Sequence, residues 1–411
     1  MTLQDRLRDD ARAVHEDVVA LRRRLHRTPE VGLDLPVTQD LVLGALDGLP
    51  LEVSTGKGLS SITAVLRGGR PGGPAVLLRG DMDALPVQEQ TGLEFSSEVD
   101  GVMHACGHDL HTAMLVGAAR VLSAQREELP GDVVFMFQPG EEGWDGAGLM
   151  IDEGVLDAAG SRVSSAYGIH VMSAQIPRDT FTTRAGTMMA ASDAMYVTVH
   201  GSGGHGSMPH LARDPITVGA EIVTSLQTLV TRRFDIFDPV VVTVGAFHGG
   251  TKRNIIADTA RLEATVRSFS PEARERIKRE APRLCREVAA AHGLEAEVEW
   301  HDEYPLTVND EEHAAFVAAT ASEVFGEQHY EHMRVPSPGA EDFSRVLDAV
   351  PGSYVFLGAH PGVDADTPNN HSPRAVFADE VMASGVHLHA ELAARALARD
   401  AARSVIPEGV K

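Results

Sequence analysis

The chain predicts an α/β fold with a second, smaller α+β unit inserted into it, and three observations carry that reading. Short apolar runs bounded by Gly, Pro or Asp alternate with helical patterns up to Gly186. The texture then changes to strands with period-two alternation and charged helices, and after Pro305 the first pattern returns. At 411 residues the chain also exceeds the roughly 250 to 300 residues at which single cores stop growing. Residues 1–186 and 300–411 are therefore expected to form one discontinuous domain, with 187–299 as the insertion. No internal repeat or low-complexity linker separates them.

Leu3 to His26 places Leu7, Val14, Val18, Leu21 and Leu25 at helical spacing and stops before Pro29, which predicts one amphipathic helix. Strands are expected at Ser61 to Leu66, Ala75 to Arg79 and Asp132 to Phe137, with a helix from Asp109 to Gln125 between the last two. In the insertion, Ala194 to Val199, Val240 to Phe247, Arg261 to Phe269 and Glu295 to Trp300 read as strands. Pro215 to Arg232 and Pro271 to His292 read as its helices. Helical patterns at Glu311 to Phe325, Glu341 to Leu347 and Val381 to Leu397 then surround a strand at Tyr354 to Leu357.

Composition narrows the function. A hydrophobic share of 43% against 23% charged residues suits a globular protein and excludes collagen, coiled coil and wholesale disorder. Lys and Arg number 36 against 59 Asp and Glu, a formal charge of -23, so binding to a phosphate backbone has no driving force and nucleic acid is not an expected partner. The acidic residues are spread along the chain as a solvated surface. Two distant cysteines, Cys106 and Cys285, give no disulfide framework and suit a reducing cytoplasm. The N-terminal stretch lacks an apolar signal core, and no run reaches the roughly 20 apolar residues of a membrane span. A soluble, cytoplasmic protein is expected.

The densest chemical cluster is His104-Ala-Cys106-Gly-His108-Asp109-Leu-His111, where a thiol and an imidazole lie two apart on a turn into a helix. Thiolate and neutral imidazole are good ligands for Zn²⁺ and similar ions, and a helix N-terminus favours the ionised thiol. A buried structural cysteine with incidental histidines would give the same residues. The Asp132 strand runs into Gln138-Pro-Gly-Glu141-Glu142-Gly, leaving adjacent carboxylates at a strand C-terminal end, where open α/β sheets place ligands. One of the pair can bind a metal while the other takes a proton from water; a solvated loop pair is the alternative. Arg79-Gly-Asp81-Met-Asp83 and Tyr167-Gly-Ile-His170 end two further apolar runs, and His371 lies in a loop before the last helix.

Eight segments, in order, resemble the M20 metallopeptidase clan, and most closely its amidohydrolase subfamily of N-acyl amino acid, hippurate and auxin-conjugate hydrolases. They are RGDMDALP from Arg79, HACGHDLH from His104, QPGEEGWDGA from Gln138, YGIH ending at His170, GSGGHGSMPH from Gly201, TKRNIIAD from Thr251, GAEDFS from Gly339 and NNHSP from Asn369. The resemblance spans nearly the whole chain. It implies a zinc-peptidase-like catalytic domain with a mixed central sheet flanked by helices, and a lid or dimerisation role for the insertion.

The resemblance further implies two divalent ions per subunit, held by Cys106, His108, Glu142, His170 and His371. Cys106 would be shared, His108 and His170 would complete one ion, and Glu142 and His371 the other. Glu141 would be the base that activates water, Asp83 an acid behind the ligands, and His205 an oxyanion donor, in relatives often supplied across a dimer. Asn254 would contact substrate and Arg267 its carboxylate, unless Arg267 is a solvated strand residue. The implied reaction is amide hydrolysis of a small N-acyl amino acid by a homodimer or higher homo-oligomer. The alternatives are a dipeptidase or aminopeptidase of the same clan and a silent acyl-amino-acid binder. Asp81 stands where the clan's peptidases begin a His-x-Asp strand, and Cys106 replaces their bridging aspartate, which leaves the metal open among Zn²⁺, Mn²⁺, Co²⁺ and Ni²⁺. His15, His26, His292, His313, His332 and Cys285 are read as structural.

Overall fold

A computed structural model describes residues 1–360, 362 and 368–404 of the chain. The described residues divide into two compact units. One comprises Met1–Gly186, Val308–Arg334 and the chain from Arg345 onward, and the other Thr187–Thr307 with Val335–Ser344. The insertion thus runs past Glu299, because the strand Glu295–Tyr304 stays paired along the neighbouring strand to Ser192. It also takes back a short segment, 335–344, that sequence alone assigns to the larger unit.

The larger unit is built on a mixed sheet of eight strands in the order Leu51–Thr55, Ile62–Leu66, Asp132–Gln138, Ala75–Asp81, Ser165–Met172, Gly352–Gly358, Phe181–Thr183, Tyr330–His332. Its central members, Asp132–Gln138, Ala75–Asp81, Ser165–Met172 and Gly352–Gly358, run parallel. Every residue of Ala75–Asp81 and of Gly352–Gly358 is buried, as expected of parallel strands covered on both faces, and this is why they read as unbroken apolar runs. The edge strand Leu51–Thr55 is mostly exposed, and the last two strands of the sheet have three residues each, so none carries a burial pattern to read.

The helix His108–Ala124 is buried nearly all round. It packs on the sheet and against His15–Arg27 and the C-terminal helix Met382–Ser404. The single helix expected over Leu3 to His26 is two, Leu3–Ala13 and His15–Arg27, joined at Val14, whose ψ of -4° departs from the helical value. The helix Pro36–Leu46 was not anticipated: its low polarity leaves no amphipathic contrast, although Pro36 at its first turn is a start signal.

The smaller unit is a four-stranded antiparallel sheet, ordered Val240–Gly249, Thr259–Ser268, Ala191–His200, Glu295–Tyr304. The helices Pro215–Arg233 and Pro271–Ala291 cover one face. Their Val218, Ile222, Leu226, Ile277, Ala281 and Cys285 close a separate core with Met195, Val197, Val199, Leu262 and Val266. Cys285 is fully buried there, a packing residue as its sequence position implied.

Candidate metal centre

Three neighbouring parallel strands deliver the site at their C-terminal ends. Asp81 lies opposite Gln138, and Arg79 opposite Gly168, so the segments 82–83, 139–142 and 170–172 emerge side by side. The Cys106 turn reaches them through Gly107, whose φ of 85° is left-handed and whose absent side chain leaves room for Val171, since a Cβ there would lie 2.4 Å from Val171 Cγ2. The helix beginning at His108 follows at once.

All five residues expected as metal ligands fall into one place. Ligand atoms of Cys106, His108 and His170 lie within 4.8 Å of one another, as do those of Cys106, Glu142 and His371, so Cys106 belongs to both groups. Cys106 Sγ is 3.4 Å from His170 Nε2, and His371 Nε2 is 3.1 Å from a Glu142 oxygen. The tautomers are set from behind. His108 Nδ1 donates to the carbonyl of Asp83 at 2.9 Å and His170 Nδ1 to that of Val171 at 2.8 Å, which leaves each Nε2 as the nitrogen available to a metal. His108 Nε2 is buried with no hydrogen-bond partner, and Glu142 Oε1 faces His371 Nε2. A soft thiolate, converging imidazole nitrogens, one of them buried without a hydrogen-bond partner, and a carboxylate fit a divalent transition metal.

The electrostatics have the same sense. Burial alone would push the Cys106 thiol up, but the charges of His170 and His108 draw it well below the usual cysteine range. Burial would lower His108, yet the negative charges of Asp81 and Cys106 hold it well above the ordinary histidine value. His371 is raised to about 10 by its hydrogen bonds to Cys106 and Glu142. Glu142 is raised by burial and by the Cys106 thiolate. His108, His371 and Glu142 hold protons against the Cys106 thiolate, and a metal cation would replace those protons.

Glu141 is buried beside Glu142, with one oxygen 4.0 Å from His108 Nε2. Asp83 accepts the backbone N–H of Glu141 at 3.0 Å and that of Glu142 at 3.1 Å. Asn370, unnoticed in the sequence, donates to the carbonyls of Cys106 at 3.2 Å and Val171 at 3.0 Å, tying the cysteine turn to the His170 strand. His371 beside it adopts a left-handed φ of 70°, a strained conformation of the kind that clusters at functional sites. Only the juxtaposition of Asn370 with His371 in NNHSP could have flagged it. A further buried group, Asp81, His108 and His111, also lies within ligand reach, but Arg79 Nη1 already holds Asp81 Oδ2 at 2.6 Å.

The remaining predicted residues belong to the smaller unit. His205 and Asn254 are exposed and come together on one short ribbon, in which His205 pairs with Ile255 and Gly206 N–H donates to the Asn254 carbonyl at 2.9 Å. The Ser207 N–H donates to His205 Nδ1 at 3.2 Å. Arg267 Nη1 donates to Ser192 Oγ at 2.6 Å, Thr265 Oγ1 at 2.8 Å and the Val266 carbonyl at 3.1 Å, all within its own sheet.

Residues 77–395 match the family model described as peptidase family M20/M25/M40. The chain is 38% identical over 399 residues to thermostable carboxypeptidase 1 of Saccharolobus solfataricus, covering 96% of this chain and 99% of that protein. It is 35% identical to the N-acetylcysteine deacetylase of Bacillus subtilis, over 93% of this chain and 97% of the relative. Among solved structures, a B. subtilis protein described as a dinuclear metal binding peptidase of the M20 family superposes with a TM-score of 0.80 at 32% identity, over 94% of this chain and 99% of the other. With these relatives spanning nearly its whole length, and its thiol, imidazoles and carboxylates gathered at the C-terminal ends of the central strands, the chain belongs to peptidase family M20/M25/M40.

Proposed function

We propose that the chain is a metal-dependent amidohydrolase that cleaves N-acyl amino acids to a carboxylic acid and a free amino acid. The observation that carries this is the shared position of Cys106 between two ligand groups, His108 with His170 and Glu142 with His371. Two divalent ions would be held there, Zn²⁺, Mn²⁺, Co²⁺ or Ni²⁺, and when bound they supply Lewis-acid polarisation and acidify water. The B. subtilis deacetylase and the dinuclear peptidase support the activity and the metal count respectively.

In this reading Glu141 takes the proton from the attacking water and returns it to the leaving amine. Its backbone is fixed by Asp83, so its carboxyl group is delivered beside His108 at a set position. His205 supplies a donor to the oxyanion. Because Nδ1 accepts the Ser207 amide, neutral His205 carries its proton on Nε2, the outward nitrogen. Asn254, on the same ribbon, contacts substrate. The bonds of Arg267 to its own sheet support a framework role for it rather than contact with the substrate carboxylate.

The smaller unit serves as a lid and dimerisation domain. Ile236 and Phe237 are 81% and 90% exposed on it, and Val241 and Phe247 stand exposed on its edge strand, a set of apolar groups suited to a second copy. The two cysteines, both buried and free, suit a cytoplasmic setting. Among the described residues no helix is long and apolar enough to cross a membrane. The carboxypeptidase relative favours a second reading, in which the acyl group is a peptide.

Both readings are separated by one preparation: metal content, then hydrolysis of N-acetyl, N-benzoyl and indole-acetyl amino acids alongside dipeptides, before and after chelation. Two ions per chain with chelator-sensitive, metal-restored cleavage of the acyl amino acids is expected. Cleavage confined to peptides would select the peptidase, and failure to bind metal would overturn the site.

A further inference from the structure

We infer that His111, a histidine outside the proposed ligand set, is a positioning residue that fixes the His170 imidazole through the Val171 peptide. This rests on the two-ion reading above. His111 is 1% exposed, and both of its nitrogens are engaged. Nε2 accepts the Val171 N–H at 2.7 Å, so the proton resides on Nδ1, which donates to Asp81 Oδ1 at 2.6 Å. Arg79 holds the other oxygen of Asp81 at 2.6 Å and donates through Nε to Gln138 at 2.9 Å. Asp81 therefore accepts from both sides, from the guanidinium and from a neutral ring of fixed tautomer, and that ring in turn accepts from the Val171 amide.

The Val171 N–H lies in the peptide that directly follows His170, so its direction sets the His170 backbone. The carbonyl of Val171 then accepts His170 Nδ1 at 2.8 Å and Asn370 Nδ2 at 3.0 Å. His111 fixes the peptide before Val171 Cα and these donors fix the one after it, leaving His170 Nε2 aimed at Cys106 Sγ, 3.4 Å away. The His111 ring lies 4.7 Å from that of His170 and 5.3 Å from that of His108, which are 6.2 Å from each other, so it packs against both imidazoles. Metal-ligating histidines are commonly oriented by a carboxylate on their own second nitrogen. Here the carboxylate acts one residue removed, through His111 and a backbone amide.

The test compares wild-type protein with His111→Asn, which keeps a donor toward Asp81 but loses the acceptor for Val171, and His111→Gln, which restores an acceptor at the longer reach. Stepwise metal affinity is measured by competition with a chelating dye, and hydrogen exchange of the Val171 amide is followed in the same samples. The Asn variant is expected to bind one of the two ions about 10- to 100-fold more weakly, with the Val171 amide deprotected and the other ion retained. The Gln variant should recover most of both. Unchanged affinity in the Asn variant, or equal loss of both ions in the two variants with global loss of protection, would overturn the inference. Wild-type protein that takes up no metal would sink the two-ion reading instead, while the exchange of Val171 still decides whether His111 holds that amide.

Discussion

The Asp83 carboxylate receives the backbone N–H of Glu141 at 3.0 Å, and its second oxygen receives that of Glu142 at 3.1 Å. The same residue holds His108 Nδ1 through its main-chain carbonyl at 2.9 Å. One buried aspartate therefore sets three members of the proposed site, and its acidity matters because two acceptor oxygens are needed. Asp83→Asn replaces one acceptor with a donor and leaves a Glu amide unsatisfied, at about 1–3 kcal/mol of stability. A shift of about 1 Å in Glu141 lowers catalytic rate about 10²-fold. Thermal unfolding and kcat for the Asn variant check both numbers, and wild-type kcat would show that the bracket does not govern Glu141.

Glu141 and Glu142 are adjacent, but their surroundings separate them. Glu142 lies 3.1 Å from His371 and shares a group with Cys106, whereas Glu141 stands 4.0 Å from His108 Nε2 and is grouped with His108 and Glu142 rather than with Cys106. Glu141→Gln is expected to retain two ions and lower kcat by at least the 10²–10⁴-fold typical of a lost general base, roughly. Glu142→Gln should instead lose metal. Metal analysis beside kcat separates the two, and an active Glu141→Gln enzyme would remove it as the base.

That contrast marks what could be read from the chain. Cys106, His108 and the Glu pair stand out because each sits where a strand or turn visibly ends, and strand ends are local in sequence. The roles of Asp81, His111 and Asn370 are not local in this way, because they depend on partners 30, 60 and 264 positions away. The fully buried strands were legible as apolar runs, whereas Phe181–Thr183 and Tyr330–His332 owe their pairing to neighbours and carry almost no pattern of their own. The insertion's second boundary was misplaced for a related reason: Glu295–Tyr304 ends in exposed polar residues, His301, Asp302 and Glu303, that look like a loop but continue the ladder.

His205 is exposed and its Nδ1 is already engaged by Ser207, so its removal leaves no buried group unpaired. His205→Ala should leave stability within about 0.5 kcal/mol and metal content unchanged, while kcat falls about 10²–10³-fold as for a lost oxyanion donor. If the histidine acts across a dimer, mixing His205→Ala with Glu141→Gln chains should recover activity neither has alone. Wild-type turnover in His205→Ala would rule out the oxyanion role.

Acid stability should depend on Glu89, which lies outside the ligand set. Arg22 Nε and His26 Nδ1 both donate to Asp109 Oδ2, at 2.7 and 2.8 Å, and the far nitrogen of His26 reaches Glu89 at 3.3 Å. Glu89 also accepts from the Thr91 hydroxyl and from the Ser97 amide at 2.6 Å. Burial opposes ionisation, but the hydrogen bonds from His26, Thr91 and Ser97 prevail and bring Glu89 from 4.5 down to about 2. A carboxyl group lowered on folding contributes stability above its unfolded value and loses it as pH falls toward its folded one. The Glu89 contribution should therefore be complete above pH 4.5 and decline progressively toward pH 2. Urea midpoints taken across that interval should fall less steeply in Glu89→Gln than in wild type, the two curves converging at the acid end. Parallel curves would show that the His26–Glu89 contact carries no proton linkage.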